Sequence, residues 1–295
     1  MKKLVLVLGL MANSLWPGEG EKSGAFLKLG SGARPGGMGG AYCAIADDSS
    51  ANYWNPAGII QLSKKEGSFM YHCPMSSVDG LSYSNLNLAL PQGNQGFGVS
   101  LVYLGYGSEK GYDKDKNPIN DWSASDLAIS GSYARKINKS LSLGASLKAI
   151  MMKIEDESAN AFCLDGGILY KDAYPNLNLA AVIKNLGTKP KFISEKFSLP
   201  LSLRLGAGYN LQNTLPIPLL IGFDTNISPF SLALGLEGKI YQNFSLRLGY
   251  SNSQDEGPGI TAGFGVQQSN FGIDYAIKPF GELGLSHYIS LKAGF

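Results

Sequence analysis

The fold is decided by stretches such as Phe244-Ser245-Leu246-Arg247-Leu248-Gly249-Tyr250-Ser251, in which large apolar residues alternate with small or polar ones. Residues 286–295 repeat the alternation up to the last residue. Successive side chains of a β-strand point to opposite faces, so one set of residues faces outwards and the other inwards. Blocks of about ten such residues separated by turns are typical of a transmembrane β-barrel. The sequence therefore predicts an all-β fold, an antiparallel barrel that spans an outer membrane.

Fourteen strand candidates follow residue 64. They are 65–74, 81–90, 95–106, 125–137, 140–154, 158–171, 175–186, 200–211, 217–227, 229–240, 243–252, 258–268, 270–279 and 286–295. A closed bacterial barrel needs an even number of strands for both of its chain ends to lie on the periplasmic side. Fourteen strands meet this requirement.

The connections between these strands fall into a long set and a short set. If Phe295 ends in the periplasm, the external connections are 75–80, 107–124, 155–157, 187–199, 228, 253–257 and 280–285. The periplasmic connections are then 91–94, 138–139, 172–174, 212–216, 241–242 and 269. Long external loops and short periplasmic turns are the rule for these barrels. The pattern predicts that 107–124, with its charged stretch Glu109, Lys110, Asp113, Lys114, Asp115 and Lys116, is an external loop.

The two predicted faces differ in chemistry. On the lipid face, aromatic residues cluster at the periplasmic ends of strands, as in an aromatic girdle: Tyr133, Tyr170, Tyr209, Phe244, Phe271 and Phe295. The inward face carries the charges, namely Lys148, Asp165, Lys184, Arg204, Asp224, Glu237, Lys239, Arg247, Asp274, Lys278 and Lys292. Burying one Lys or Arg in lipid at the bilayer midplane costs about 2–4 kcal/mol, so these side chains are expected in the lumen.

Composition and the N-terminus are consistent with an exported membrane protein. Charged residues make up 16% of the 295 residues, and a net charge of +2 gives no reason to expect a nucleic-acid partner. Residues 1–20 are predicted to be a secretory signal peptide, with Lys2 and Lys3 before the apolar run Leu4–Met11. Cleavage after Ala12 and cleavage within 16–20 are both open. The alternative is that this segment forms a short buried strand.

Residue types that carry chemistry are few, so we expect no enzyme, no cofactor and no metal site. Cys43, Cys73 and Cys163 are too far apart for a disulfide framework or metal-ligand spacing. His72 and His287 are also far apart, and no G-x-S-x-G nucleophile motif occurs. The structural alternative is a soluble β-sandwich, which also alternates. A sandwich would not usually keep large apolar residues at nearly every outward position of fourteen strands.

Residues 21–62 differ from the predicted barrel, 63–295. They are rich in glycine and small residues, with four glycines between 36 and 40, and they lack a long alternation. Ala51–Trp54 is predicted to form a short helix that Asn55-Pro56 ends. A small and irregular segment of this kind suits a hatch packed inside the barrel. The alternative is a periplasmic tail without a plug role.

The sequence resembles the PorV/PorQ family, a branch of the FadL-like outer-membrane proteins. The resemblance is carried by 34–41, by Ala46-Asp47-Asp48, by 54–58, and by 146–148, 165–170 and 199–204. It implies a fourteen-stranded barrel with an N-terminal hatch, and Asn55-Pro56-Ala57 matches the hatch motif of FadL-type fatty-acid channels. The candidate hatch or gate residues are Arg34, Asp47, Asp48, Trp54, Asn55, Pro56, Ala57 and Gly58. We expect Arg34 to pair with Asp165 or Asp274, and Asn55 to cap exposed backbone groups.

Two functions follow from this resemblance. The first is passage of small hydrophobic molecules across the outer membrane, gated by the hatch, with membrane lipid as the surrounding partner. The second is an accessory role in type IX secretion, in which the barrel binds cargo or other secretion-system proteins. Neighbouring genes for a secretion machine would favour the second function.

Overall fold

A computed structural model describes residues 23–112, 115–211, 217–253 and 257–295. The predicted signal peptide, 1–20, lies outside these residues. The helical elements are the 3₁₀ helices η1 (Ala25–Lys28), η2 (Pro56–Gln61) and η3 (Gly281–Leu283) and the α-helices α1 (Ala33–Gly37) and α2 (Ala51–Trp54). The strands are β1 (Glu66–Cys73), β2 (Ser82–Gln92), β3 (Gln95–Tyr112), β4 (Pro118–Lys136), β5 (Leu141–Ile154), β6 (Glu157–Tyr174), β7 (Leu177–Gly187), β8 (Lys191–Phe192), β9 (Glu195–Lys196), β10 (Ser202–Asn210), β11 (Leu219–Asn226), β12 (Ser231–Tyr241), β13 (Phe244–Ser251), β14 (Ile260–Gln268), β15 (Phe271–Pro279) and β16 (Leu285–Gly294).

Fourteen of these strands form one closed antiparallel barrel. Each strand pairs with its neighbours in chain order, and β1 pairs with β16 to close the ladder. The two short strands β8 and β9 form a separate hairpin in the connection between β7 and β10. The predicted fold class is confirmed, and each of the fourteen predicted strands corresponds to one barrel strand.

The alternation in the sequence separates the two surfaces of the wall. In β13, the outward side chains of Leu246 and Leu248 are 47% and 58% exposed, whereas Arg247 between them is only 4% exposed. The outer surface is therefore apolar, and the buried side chains lie inside the barrel. Within the part of the chain that the structure describes, no helix has the length and apolar character needed to cross a membrane.

The two ends of the barrel differ in their connections. One end, the short-turn end, carries the connections 93–94, 137–140, 175–176, 242–243 and 269–270, together with 211–218. The opposite end, the loop end, carries the connections 74–81, 113–117, 155–156, 188–201, 227–230, 252–259 and 280–284. All six predicted girdle residues, Tyr133, Tyr170, Tyr209, Phe244, Phe271 and Phe295, lie toward the short-turn end of their strands.

The prediction of a loop over 107–124 is wrong for most of its length. β3 continues to Tyr112 and β4 begins at Pro118, and the two strands pair as a ribbon beyond the ends of β2 and β5. Above the rim neither face has to meet lipid, so the alternation that marks a strand disappears while the backbone pairing continues. Asp113 and Lys114 of the charged stretch lie outside the described residues.

Candidate functional site: the barrel lumen

Residues 23–62, here called the N-terminal segment, lie inside the barrel. Hydrogen bonds connect the segment to strands on different sides of the wall. Thr261 Oγ1 of β14 donates to the Gly37 carbonyl at 3.0 Å, and the backbone N–H groups of Tyr42 and Cys43 donate to Asp224 of β11. Asn52 Nδ2 donates to the Leu88 carbonyl of β2 at 3.0 Å. The segment therefore crosses the lumen from one side to the other.

Glycines in the inner wall let the segment approach the strand backbone. A Cβ atom placed on Gly144 of β5 would lie 2.3 Å from the backbone nitrogen of Ala57. A Cβ atom on Gly167 of β6 would lie 2.1 Å from Oδ1 of Asn55. By contrast, Gly131 of β4 lies on the outward face, and a Cβ atom there would have no heavy atom of the protein within 4 Å. The glycines that contact the segment are thus required by its close approach.

Asn55 holds the turn between α2 and η2. Its Oδ1 accepts the Ala57 N–H at 3.0 Å, which caps the first turn of η2, and Pro56 begins that helix. Its Nδ2 donates to the carbonyls of Cys43 and of Ile168, a residue of β6. The expectation that Asn55 satisfies exposed backbone groups is correct. Gly58 lies close to the backbone of Ala46, because a Cβ atom on Gly58 would lie 2.2 Å from the Ala46 carbonyl oxygen.

Arg34 is the centre of an ionic cluster, but its partner differs from the prediction. Its Nε and Nη2 donate to the two carboxylate oxygens of Glu237 in β12, both at 2.8 Å. Its Nη1 lies 2.5 Å from Asp47 and 3.5 Å from Asp48. The expected pairs with Asp165 or Asp274 do not form, because the path of the segment brings α1 toward β12 and leaves those two carboxylates with cations of the wall.

The wall continues the cluster with alternating charge. Glu237 also accepts a hydrogen bond from Arg247 Nε at 2.6 Å, and Arg247 Nη1 lies 2.7 Å from Asp274. Lys292 lies 3.3 Å from the other oxygen of Asp274. Charges buried away from water need partners of this kind. The cluster therefore joins the N-terminal segment to four strands on one side of the barrel, β12, β13, β15 and β16.

Asp48 is the buried acid of the segment. Its Oδ2 accepts a hydrogen bond from Tyr42 Oη at 2.7 Å, and its Oδ1 accepts the Ser50 N–H at 3.0 Å. Burial alone would raise the pKa of Asp48, but the charges of Arg34 and Lys292 and the hydrogen bonds that the side chains of Ser50 and Tyr42 donate lower it overall. Asp48 is therefore an ionised partner of Arg34.

A second ionic group lies in the wall at β5, β6 and β7. Lys148 Nζ lies 2.8 Å from Asp165 and donates to Asn185 Oδ1 at 2.7 Å. The neighbouring Lys184 ammonium lies 3.2 Å from the centroid of the Tyr53 ring, a cation–π contact. On the next strand, Arg204 stacks over Trp54 at 5.1 Å and pairs with Asp224 at 3.3 Å. The aromatic residues of α2 are thus held by cations of the wall.

The loop-end half of the lumen is apolar on the side formed by β1 to β6. Buried side chains from these strands and the adjoining β15 and β16 form one cluster: Met70, Tyr83, Val102, Leu104, Ala128, Ile150, Met152, Ala159, Ala161, Cys163, Ala276 and Tyr288. Phe26 and Leu27 of η1 fill it, together with Leu199 from the 188–201 connection. Sequence reasoning missed Phe26 and Leu27, because four residues of a 3₁₀ helix show no periodicity.

Hydrogen bonds fix η1 in this apolar cluster. Tyr53 Oη donates to the Leu27 carbonyl at 2.7 Å, and the backbone N–H of Ser23 donates to the Ser198 carbonyl at 2.9 Å.

Two polar cavities flank the N-terminal segment. One cavity, of about 90 Å³, lies toward the loop end and is lined by residues that include Lys278 and Ser253. The other, of about 540 Å³, lies toward the short-turn end and includes Arg34, Lys239 and Lys292.

The two histidines make separate ring contacts, and Cys73 lies opposite His287 in the pairing of β1 with β16. His72 stacks on Tyr288 with ring centroids 3.8 Å apart, whereas His287 contacts Tyr275. Over the described ranges, with their gaps at 113–114, 212–216 and 254–256, no group of three or more His, Cys, Asp or Glu side chains is arranged to hold a metal ion.

The geometry can be compared with known proteins. The chain is similar to the toluene transporter TbuX of Ralstonia pickettii, with a TM-score of 0.66 and 13% identity over 90% of this chain and 98% of that one. It is similar to the monoaromatic hydrocarbon channel CymD, with a TM-score of 0.66 and 15% identity over the same shares. A FadL homologue of Pseudomonas aeruginosa gives a TM-score of 0.57 and 13% identity, again over 90% and 98%.

The fold is that of the FadL-like outer-membrane barrels. At these identities the likeness concerns the fold alone. The model of an uncharacterised protein family, UPF0164, matches residues 16–161 of this FadL-like barrel. A search of curated proteins found no match. The FadL-like part of the predicted resemblance is confirmed as a fold, and the PorV/PorQ part stays a prediction.

Proposed function

We propose that the chain is an outer-membrane channel for small hydrophobic molecules and catalyses no reaction. The observation that supports this most directly is the apolar side of the loop-end lumen, between β1 and β6. A hydrophobic molecule that enters the loop end gains free energy by leaving water for such a surface, about 25 cal/mol per Å² of apolar area buried. The structurally similar proteins include a toluene transporter and a monoaromatic hydrocarbon channel, which agrees with this substrate class.

The N-terminal segment is the gate in this proposal. Phe26 and Leu27 occupy the apolar cluster that a hydrophobic molecule would use, so the molecule has to displace η1. The ionic cluster around Arg34 holds the rest of the segment against β12 and β13. Passage then depends on movement of the segment, while the closed wall remains intact.

An uptake measurement tests the proposal. Cells whose own outer membrane excludes toluene are made to express the chain, and uptake of radiolabelled toluene is followed. The variant Ile150→Asn places an amide in the apolar cluster and should lower uptake severalfold, because a hydrophobic molecule bound there would leave the amide without a hydrogen-bond partner, at a cost of about 1–3 kcal/mol. The control Ser231→Asn changes a residue that lines the polar cavity at the loop end, and it should leave uptake unchanged. Uptake no faster than in cells without the chain, with the barrel folded in the membrane, would contradict the proposal.

The alternative function, an accessory of type IX secretion, stays a prediction of the sequence resemblance. Binding of secreted cargo or of secretion components by the purified chain would support it in place of transport.

A further inference from the structure

The connection between β4 and β5, at the short-turn end, carries three exposed cations, Arg135, Lys136 and Lys139. The turn is well ordered by its own hydrogen bonds. Asn138 Oδ1 accepts the backbone N–H groups of Ser140 and Leu141 at 2.9 and 2.8 Å. In the parts of the chain that the structure describes, none of the three cations forms an ion pair. They are therefore presented to the surroundings from a fixed backbone.

The cations lie next to the aromatic girdle. Tyr133, two residues before Arg135 and on the same outward face, packs on Phe97 of β3 with ring centroids 5.4 Å apart. Two residues along a strand span about 6.6 Å, so Arg135 lies just beyond the girdle. Aromatic girdles mark the level at which hydrocarbon meets headgroups. Ile137, two residues after Arg135, is also exposed. Apolar and cationic side chains therefore alternate along the chain just beyond the girdle.

The charge at the two ends of the same strand is opposite. β5 begins after the basic turn and ends at the loop end beside Glu155, Asp156 and Glu157, all exposed. An anionic group is attracted to the basic turn at the short-turn end and repelled by the acidic residues at the loop end. Each Lys or Arg near an anionic membrane surface contributes about 1 kcal/mol of attraction, a factor of about five in binding.

We propose that Arg135, Lys136 and Lys139 bind the headgroup of an anionic phospholipid in the leaflet at the short-turn end, the periplasmic leaflet in the predicted orientation. The phosphate contacts Arg135, which shares the outward face of Tyr133, while Lys136 and Lys139 add their charge from the end of the strand and the turn. The acyl chains lie against Phe97 and Tyr133. The girdle contact favours a lipid over a soluble anion, because it supplies a surface for the chains. The interaction anchors one side of the barrel at a fixed depth and is independent of what the lumen carries.

Native mass spectrometry of the full chain tests the proposal. The protein is released from micelles that contain equal amounts of phosphatidylglycerol and phosphatidylcholine with the same acyl chains. We expect phosphatidylglycerol to be retained preferentially. The variant Arg135→Gln, Lys136→Gln, Lys139→Gln should lose this preference, by about fivefold for each charge removed. The matched control Lys189→Gln, Lys191→Gln, Lys196→Gln, in the loop-end connection 188–201, should keep it.

Three results would overturn the proposal: equal retention of the two lipids, an unchanged preference in the triple variant, or the same loss in the control. A further arm adds inorganic phosphate, and equal binding of phosphate without lipid would make the turn a general phosphate site instead. If the triple variant does not fold, the single change Lys139→Gln in the exposed turn is measured, with an expected fivefold loss. An unchanged preference in that variant would equally contradict the proposal.

Discussion

Arg34 is the residue on which the attachment of the N-terminal segment depends most. Its guanidinium forms a bidentate pair with Glu237 and a further pair with Asp47, and its side chain is mostly buried. Removing one partner of a buried ion pair is expected to cost about 3–5 kcal/mol, because the other charge stays buried without compensation. We expect Arg34→Ala to leave the barrel folded and to raise amide hydrogen exchange in 33–48 by about a hundredfold or more.

Asp47→Asn is the matched control for this prediction. The Asp47 side chain is 42% exposed, and an exposed pair contributes only about 0–1 kcal/mol. Exchange in 33–48 should then rise by less than about fivefold. Equal exchange in Arg34→Ala and in the unmodified chain would show that the ionic cluster does not hold the segment.

Asp48 should make the attachment sensitive to acid. Its folded-state pKa lies below the ordinary value of about 3.9, so its charge stabilises the folded segment above that value. This contribution is lost as the pH falls through the lowered pKa. We expect Asp48→Asn to weaken exchange protection of 33–48 at neutral pH, and the difference from the unmodified chain to shrink below about pH 4. A difference that is the same at pH 3 and pH 7, after correction for intrinsic exchange, would rule out this role.

At the scale of elements, the contact between η2 and the wall depends on Gly144. A methyl group there would overlap the backbone of Ala57, whereas a methyl group on Gly131 of the neighbouring strand would meet no atom. We expect Gly144→Ala to displace η2 and to increase amide exchange in 55–62, with no loss of the folded barrel. Gly131→Ala should change neither. The same exchange in both variants would contradict the close approach.

Deleting 24–60 tests the whole segment as a plug. A closed ladder satisfies its own backbone groups, so the barrel should fold without the segment and its single-channel conductance in planar bilayers should rise. Asn55→Ala should give a smaller rise, since it removes hydrogen bonds worth about 1 kcal/mol each. A folded deletion variant with unchanged conductance would show that the segment does not block the lumen. Failure of the variant to fold would make the segment part of the barrel core.

The sequence predicts the barrel strands better than it predicts the contacts of the N-terminal segment inside the barrel. Leu246 and Arg247 follow the two-residue period of a strand, and this period alone assigns one to the outside and the other to the lumen. The partner of Arg34 depends on the path of an irregular, glycine-rich chain across the lumen, and no local pattern encodes that path. Phe26 was missed for the same reason. The sequence does not predict the strand pairing beyond residue 106, because this ribbon lies beyond the surface that imposes alternation.

At the scale of the whole molecule, the predicted orientation can be tested on intact cells. The ribbon at the loop end carries the exposed residues Lys110 and Lys116, whereas Lys148 is buried in the lumen. If the loop end faces outwards, added trypsin should cut at Lys110 or Lys116 and leave the bond after Lys148 intact. The protein should also fractionate with outer membranes and show heat-modifiable mobility on gels. Protection of the ribbon, under conditions that cleave another surface protein, would reverse the orientation.

The pairing of β1 with β16 has a consequence for biogenesis. The wall is sealed by the first strand after the N-terminal segment and by the last strand of the chain, and the backbone N–H of Phe295 bonds to the Lys65 carbonyl at this seam. No shorter nascent chain can complete the ring. The N-terminal segment runs directly into β1, so it is covalently joined to one of the two strands that form this seam, and closure of the seam encloses it.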